Sequence, residues 1–67
     1  MRGPGVMIEV TRLNGVKIIL NAELIEIVEH TPDTVITLTS GKKYIVSENA
    51  SEIVDLIIEY KRKIHAF

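Results

Sequence analysis

The chain has no cysteine and no tryptophan. Without thiols no disulfide can staple so short a polypeptide and no thiolate can hold a structural metal, a composition that fits a reducing compartment. Aromatic residues are 4% of the sequence, too few to build the stacking platform of a single-stranded nucleic-acid sheet. Neither sign of charge dominates. Eight basic residues stand against nine acidic ones, a net charge of −1, so no global field draws the chain onto nucleic acid. No apolar run approaches the roughly 20 residues of a membrane span. The start also lacks the basic region and long apolar stretch of a secretory signal. These absences lead us to expect a soluble, cytoplasmic protein.

What is present is aliphatic. Hydrophobic residues reach 46% of the 67 positions, most of them Ile, Val and Leu. One domain of this size lies near the lower limit at which a core suffices unaided. A zinc staple is disfavoured, because His30 and His65 lie far apart without neighbouring ligands. The branched side chains exceed what so small an interior can hide, and exposed apolar surface marks an interface. Self-association is the expected staple, so the chain is read as a homo-oligomer.

Residues 1–6 (MRGPGV) show no periodicity and are read as a mobile extension, with residues 7–67 forming a single domain. Met7 to Leu13 alternates as a half-buried strand, with Ile8 and Val10 on one face. Asn14-Gly15 suggests a type I′ hairpin turn with Leu13 facing Val16. Val16 to Leu20 follows, and Ile19 falls on the face where a one-sided sheet would want a polar residue. Leu24 to His30 is apolar on both faces, Ile25 with Ile27 on one and Leu24 with Val28 on the other, unless a bulge inverts them. Such a strand needs cover on two sides, one from a helix and the other from a second copy.

Thr31-Pro32-Asp33 supplies a turn. Thr34 to Thr39 and Lys42 to Val46 read as two further strands, with Ile36 and Leu38 inward on the first, Tyr44 and Val46 sharing a face on the second, and Ser40-Gly41 between them. Asn49 and Glu52 have capping-box spacing, in competition with Ser47 and Ser51. Ile53, Ile57, Tyr60 and Ile64 then recur at helical spacing, with Val54, Leu56 and Ile58 widening the stripe. Lys61, Arg62 and Lys63 suit the negative end of the helix dipole. The fold class is therefore α+β: a five-stranded, mostly antiparallel, curved sheet in a meander, with one C-terminal amphipathic helix.

Nothing reads as a catalytic constellation. No Ser nucleophile has an evident His partner. Strand alternation separates Glu26 from Glu23 and Glu29, and Gly41-Lys42-Lys43 lacks the spaced glycines of a phosphate loop. The expectation is a non-enzyme with no cofactor and no metal. The candidate protein-contact residues are Ile19, Ile25, Ile27 and Val28 from the strands and Leu56 from the helix.

The ordered set IEVTRLNG, LNAELIE, TPDTVITLTSGKKY and IIEYKRKI, spanning Met7 to Ile64, resembles the small flagellar FlbD family, also called swarming motility protein SwrD. The resemblance implies a non-enzymatic accessory of bacterial flagellar motility that supports motor power at the stator. It brings no catalytic or cofactor residues. Its implied partners are flagellar motor or stator components, met peripherally from the cytoplasm. The alternative function is a small nucleic-acid-binding regulator of motility genes.

Overall fold

Apolar–polar alternation at a period of two sets the first hairpin. β1 (Met7–Thr11) and β2 (Lys17–Asn21) pair antiparallel, Ile8 opposite Leu20 and Val10 opposite Ile18. These four side chains share the inner face, while Glu9 and Ile19 oppose each other outside. The computed structural model describes the backbone of residues 5–65 and the side chains of residues 5–63.

The hairpin does not close through a type I′ turn. That turn needs positive φ at both central residues, and among the described residues only glycines adopt it, Gly15 at φ 89°. The Gly15 N–H donates to the Arg12 carbonyl and the Arg12 N–H to the Val16 carbonyl, both at 2.8 Å. The loop therefore has three residues, a type I turn followed by a left-handed glycine, and Val16 faces Arg12 rather than Leu13. The Leu38–Lys42 connection repeats the device with Gly41 at φ 91°. Open space surrounds the position of a Cβ on Gly15, so Gly15→Ala isolates the backbone cost. A loss of about 1–2 kcal/mol in urea unfolding is expected; an unchanged midpoint would show that the loop relaxes freely.

Asn21 caps a short 3-10 helix, Ala22–Leu24, by accepting the Glu23 N–H at 3.0 Å. This turn takes three residues out of extended conformation where β2 would hand over to the next strand. β3 (Ile25–Glu29) accordingly pairs with β4 (Thr34–Leu38) instead, and β4 with β5 (Lys43–Val46), all antiparallel. The five strands thus form a two-stranded and a three-stranded sheet, not the single five-stranded sheet expected from the short connections.

A register shift between Ile25 and Ile27 leaves Glu26 unmatched. This bulge parts Ile25 from Ile27, which strict alternation puts on one face. Ile25 opposes Leu38 and Val28 opposes Ile36 on the inner face, whereas Ile27 goes outside with Glu29. Glu26 and Glu29 with the bulge also blunt the free edge of β3 against strand addition.

The two sheets meet at one corner. Arg12 and Val46 form an isolated bridge, and the Ser47 N–H donates to the Thr11 carbonyl at 2.8 Å. Beyond it the chain stops pairing by backbone. The Glu48 carboxylate takes over, accepting the Thr11 N–H on Oε1 and the Thr11 hydroxyl on Oε2, each at 2.9 Å.

α1 (Ala50–His65) begins with a capping box in which Asn49 replaces the usual Ser or Thr. Asn49 Oδ1 accepts the Glu52 N–H at 2.8 Å and Glu52 Oε1 accepts the Asn49 N–H at 3.0 Å. Ser51 donates to Asn49 Oδ1 at 2.7 Å and so supports this cap. The helix lies mainly on β1. Ile53 is fully buried and Leu56, Ile57 and Tyr60 pack half-buried around the core of Ile8, Val10, Leu20, Ile36 and Val46. Val6, placed outside the folded domain on its sequence, belongs to that core at 3% exposure. Its carbonyl accepts the Ala22 N–H at 2.6 Å, which extends the first hairpin past Met7. Gly5 precedes Val6 at φ 90°, and residues 1–4 of the expected extension lie outside the described residues.

Candidate functional site

The polar side chains do not converge. Among the described residues, no three His, Asp or Glu groups gather as metal ligands. His30 is exposed beside Thr31, with 3.5 Å between Nδ1 and Oγ1. It lines an open hollow of about 380 Å³ with Asn49, Ala50 and Ser51. The Ser51 hydroxyl there is directed to Asn49 rather than to the imidazole, so no nucleophile–base pair is formed. The side chain of His65 lies outside the described residues.

Glu48 is the carboxylate with a displaced pKa. Desolvation pushes it upward, but hydrogen bonds from the Thr11 N–H, its own N–H and the Thr11 hydroxyl outweigh this, with help from the charge of Lys17. The net effect holds the group below the usual glutamate range. Each acceptor oxygen has a fixed partner within the fold, so this carboxylate serves as a clasp between sheets.

What the surface offers is aliphatic. Among the described residues, seven hydrophobic side chains are buried, while eight large ones are 44% or more exposed. A chain that shows as many as it hides has apolar surface to spare. Ile19 (64% exposed) stands on the outer face of the first hairpin, and Ile27 (49%) on that of the three-stranded sheet. They belong to different sheets. Ile25 and Val28 are half-buried on the inner face, and Leu56 is half-buried where α1 meets β1, in a shallow groove shared with Met7, Tyr60 and Lys63.

The model of a family described as flagellar and swarming motility proteins, FlbD, matches residues 7–65. The chain belongs to the FlbD family. No curated protein and no solved structure matches it.

In this FlbD chain, alternation marked Ile19 and Ile27 as apolar excess, and both are exposed. It also contained a signal that was not used. Tyr44 and Val46 share a face, so Ile45 must take the opposite one, where it is 45% exposed opposite Val35. On α1, Val54 and Ile58 form the open part of the stripe, at 52% and 44% exposure. The Arg12 guanidinium and the Lys42 ammonium each lie 5.8 Å from the Tyr44 ring centroid. The two three-residue loops bring these cations together, a grouping that sequence spacing does not reveal. No helix among the described residues of the FlbD chain is long and apolar enough to cross a membrane.

Proposed function

We propose that this FlbD-family chain is a non-enzymatic accessory of bacterial flagellar motility that supports motor power at the stator through protein–protein contact. The observation that carries the reading is the exposed aliphatic surface on a chain whose family is one of motility proteins. Work of this kind requires no cofactor. The chain acts from the cytoplasmic side, peripherally at the motor, and as a homo-oligomer. Ile19 and Ile27 make contact directly, while Ile25, Val28 and Leu56 support the surface from their half-buried positions.

The test is recovery of a tagged chain from motile cells followed by mass spectrometry. Stator or switch components are expected, with recovery and swarming both reduced by Ile19→Asp in a protein of unchanged circular dichroism. Recovery of transcripts or transcription machinery instead would overturn the reading. One observation favours a second reading, nucleic-acid binding, namely Arg12 and Lys42 around Tyr44. Binding that weakens steeply with salt would carry it, and no binding at low salt would remove it.

A further inference from the structure

The outer face of the three-stranded sheet is a small grid with a self-complementary pattern. Across one row lie Glu29 on β3, Val35 on β4 and Ile45 on β5; across the next lie Ile27, Thr37 and Lys43. Opposite charges therefore occupy one pair of diagonal corners, and isoleucines occupy the other. β3 and β5 are two inter-strand spacings apart, about 9.6 Å, and the rows are two residues apart, about 6.8 Å. The grid is thus a rectangle about 1.4 times as long across the strands as along them. Rotating a second copy by a half-turn about the Ile27–Ile45 diagonal lays the two sheets face to face with strands crossing at about 70°, toward the orthogonal of the two favoured sheet packings. In that arrangement Glu29 meets Lys43 of the second copy and Lys43 meets its Glu29. Ile27 meets Ile27, Ile45 meets Ile45, and Val35 and Thr37 fill the centre between them. Half-turns along the strands or across them would set each charge against an isoleucine.

We infer that this face binds a second copy of the chain in a two-fold dimer of crossed sheets. The inference rests on the reading that exposed apolar side chains mediate protein contact, and it assigns one such surface to self-association. Ile19 and the Val54–Ile58 stripe of α1 remain open for other proteins. The free edge of β3 does not compete, because its bulge and two glutamates discourage strand pairing. The helix stripe is only two apolar residues long and lacks the four-cornered match.

The absence of native cysteine makes the test direct. Ile45→Cys and Ile27→Cys place single thiols near the two-fold axis, and each is expected to form a disulfide-linked dimer in high yield under mild oxidation. Ile19→Cys and Val54→Cys serve as off-axis positions and are expected to remain largely monomeric on gels. Glu29→Lys and Lys43→Glu should each weaken the dimer at least about tenfold in sedimentation, and mixing the two variants should restore it, since every facing pair is again of opposite sign. A wild-type chain that sediments as a monomer at micromolar concentration overturns the inference. So does cross-linking through Val54→Cys in preference to Ile45→Cys, or a mixture of charge variants that fails to recover. A monomeric protein that still recovers motor components would remove self-association but leave the proposed stator contact standing, whereas a dimer that recovers none would leave this inference standing.

Discussion

Ile53→Ala is expected to lower the unfolding free energy by about 3–4 kcal/mol, the range for removing a fully buried isoleucine and leaving its cavity. A chain of this length has on the order of 3–10 kcal/mol in total, so the variant should lose at least about a third of its stability. Ile53 is 0% exposed and stands in the first turns of α1, where the helix meets β1 and the Ile8–Val10–Leu20 core. Its neighbour Val54 provides the comparison, because it is 52% exposed in the same turn. Val54→Ala removes little packing and should cost under about 1 kcal/mol. The expected urea series therefore shows a large drop in midpoint at 53 and a small one at 54. Equal, small losses at both positions would mean that α1 does not dock through this face.

The helix stripe was legible in the sequence, but its period left Val54 and Leu56 both widening it, and that Val54 is the exposed one follows only from how α1 docks on β1. The strands were legible too, to within one or two residues at their ends, because alternation and turn residues are local signals. The pairing of those strands is a longer-range matter. Periodicity places Ile8 and Val10 on one side of β1, but it does not say that β2 turns away at Ala22 and leaves β3 to start another sheet. Asn14-Gly15 is compatible with a two-residue or a three-residue loop, and the difference lies only in whether Asn14 takes positive φ. The Glu26 bulge parts Ile25 from Ile27, which alternation puts on one face, without any change in the hydrophobic count. Val6 continues the period of two set by Ile8 and Val10, so its burial was legible once the Gly3-Pro4-Gly5 run, rather than Met7, is taken as the boundary. For the candidate surface, Ile19 and Ile27 followed from apolar excess, and Ile45 could have followed from its parity with Tyr44 and Val46. The Glu48 clasp could not, because it joins residues 37 positions apart.

Glu48 gives the second large effect, and its signature is a dependence on pH. The carboxylate stands in for a strand where β1 and β5 cease to pair, receiving two donors from Thr11 at 2.9 Å. Its folded-state pKa is lowered, upward desolvation being outweighed by those hydrogen bonds, its own N–H and Lys17. A depressed carboxylate stabilises the fold above its unfolded pKa, about 4.3 for glutamate, and that contribution fades as pH falls through the lower folded value. Glu48→Ala removes both acceptors and leaves the Thr11 N–H without its partner, a loss of about 2 kcal/mol at pH 7 after allowance for partial exposure. Glu48→Gln keeps one acceptor oxygen and the shape but not the charge, and should lose about 1 kcal/mol. The quantity to follow is the difference between the wild-type and glutamine-variant stability curves. That difference should be level from neutral pH down to about pH 5 and then shrink toward zero in acid. Amide exchange at Thr11 should quicken in the glutamine variant under the same conditions, because its N–H loses a charged acceptor. A gap that persists unchanged at low pH would assign Glu48 a packing role and remove the charged clasp between the sheets.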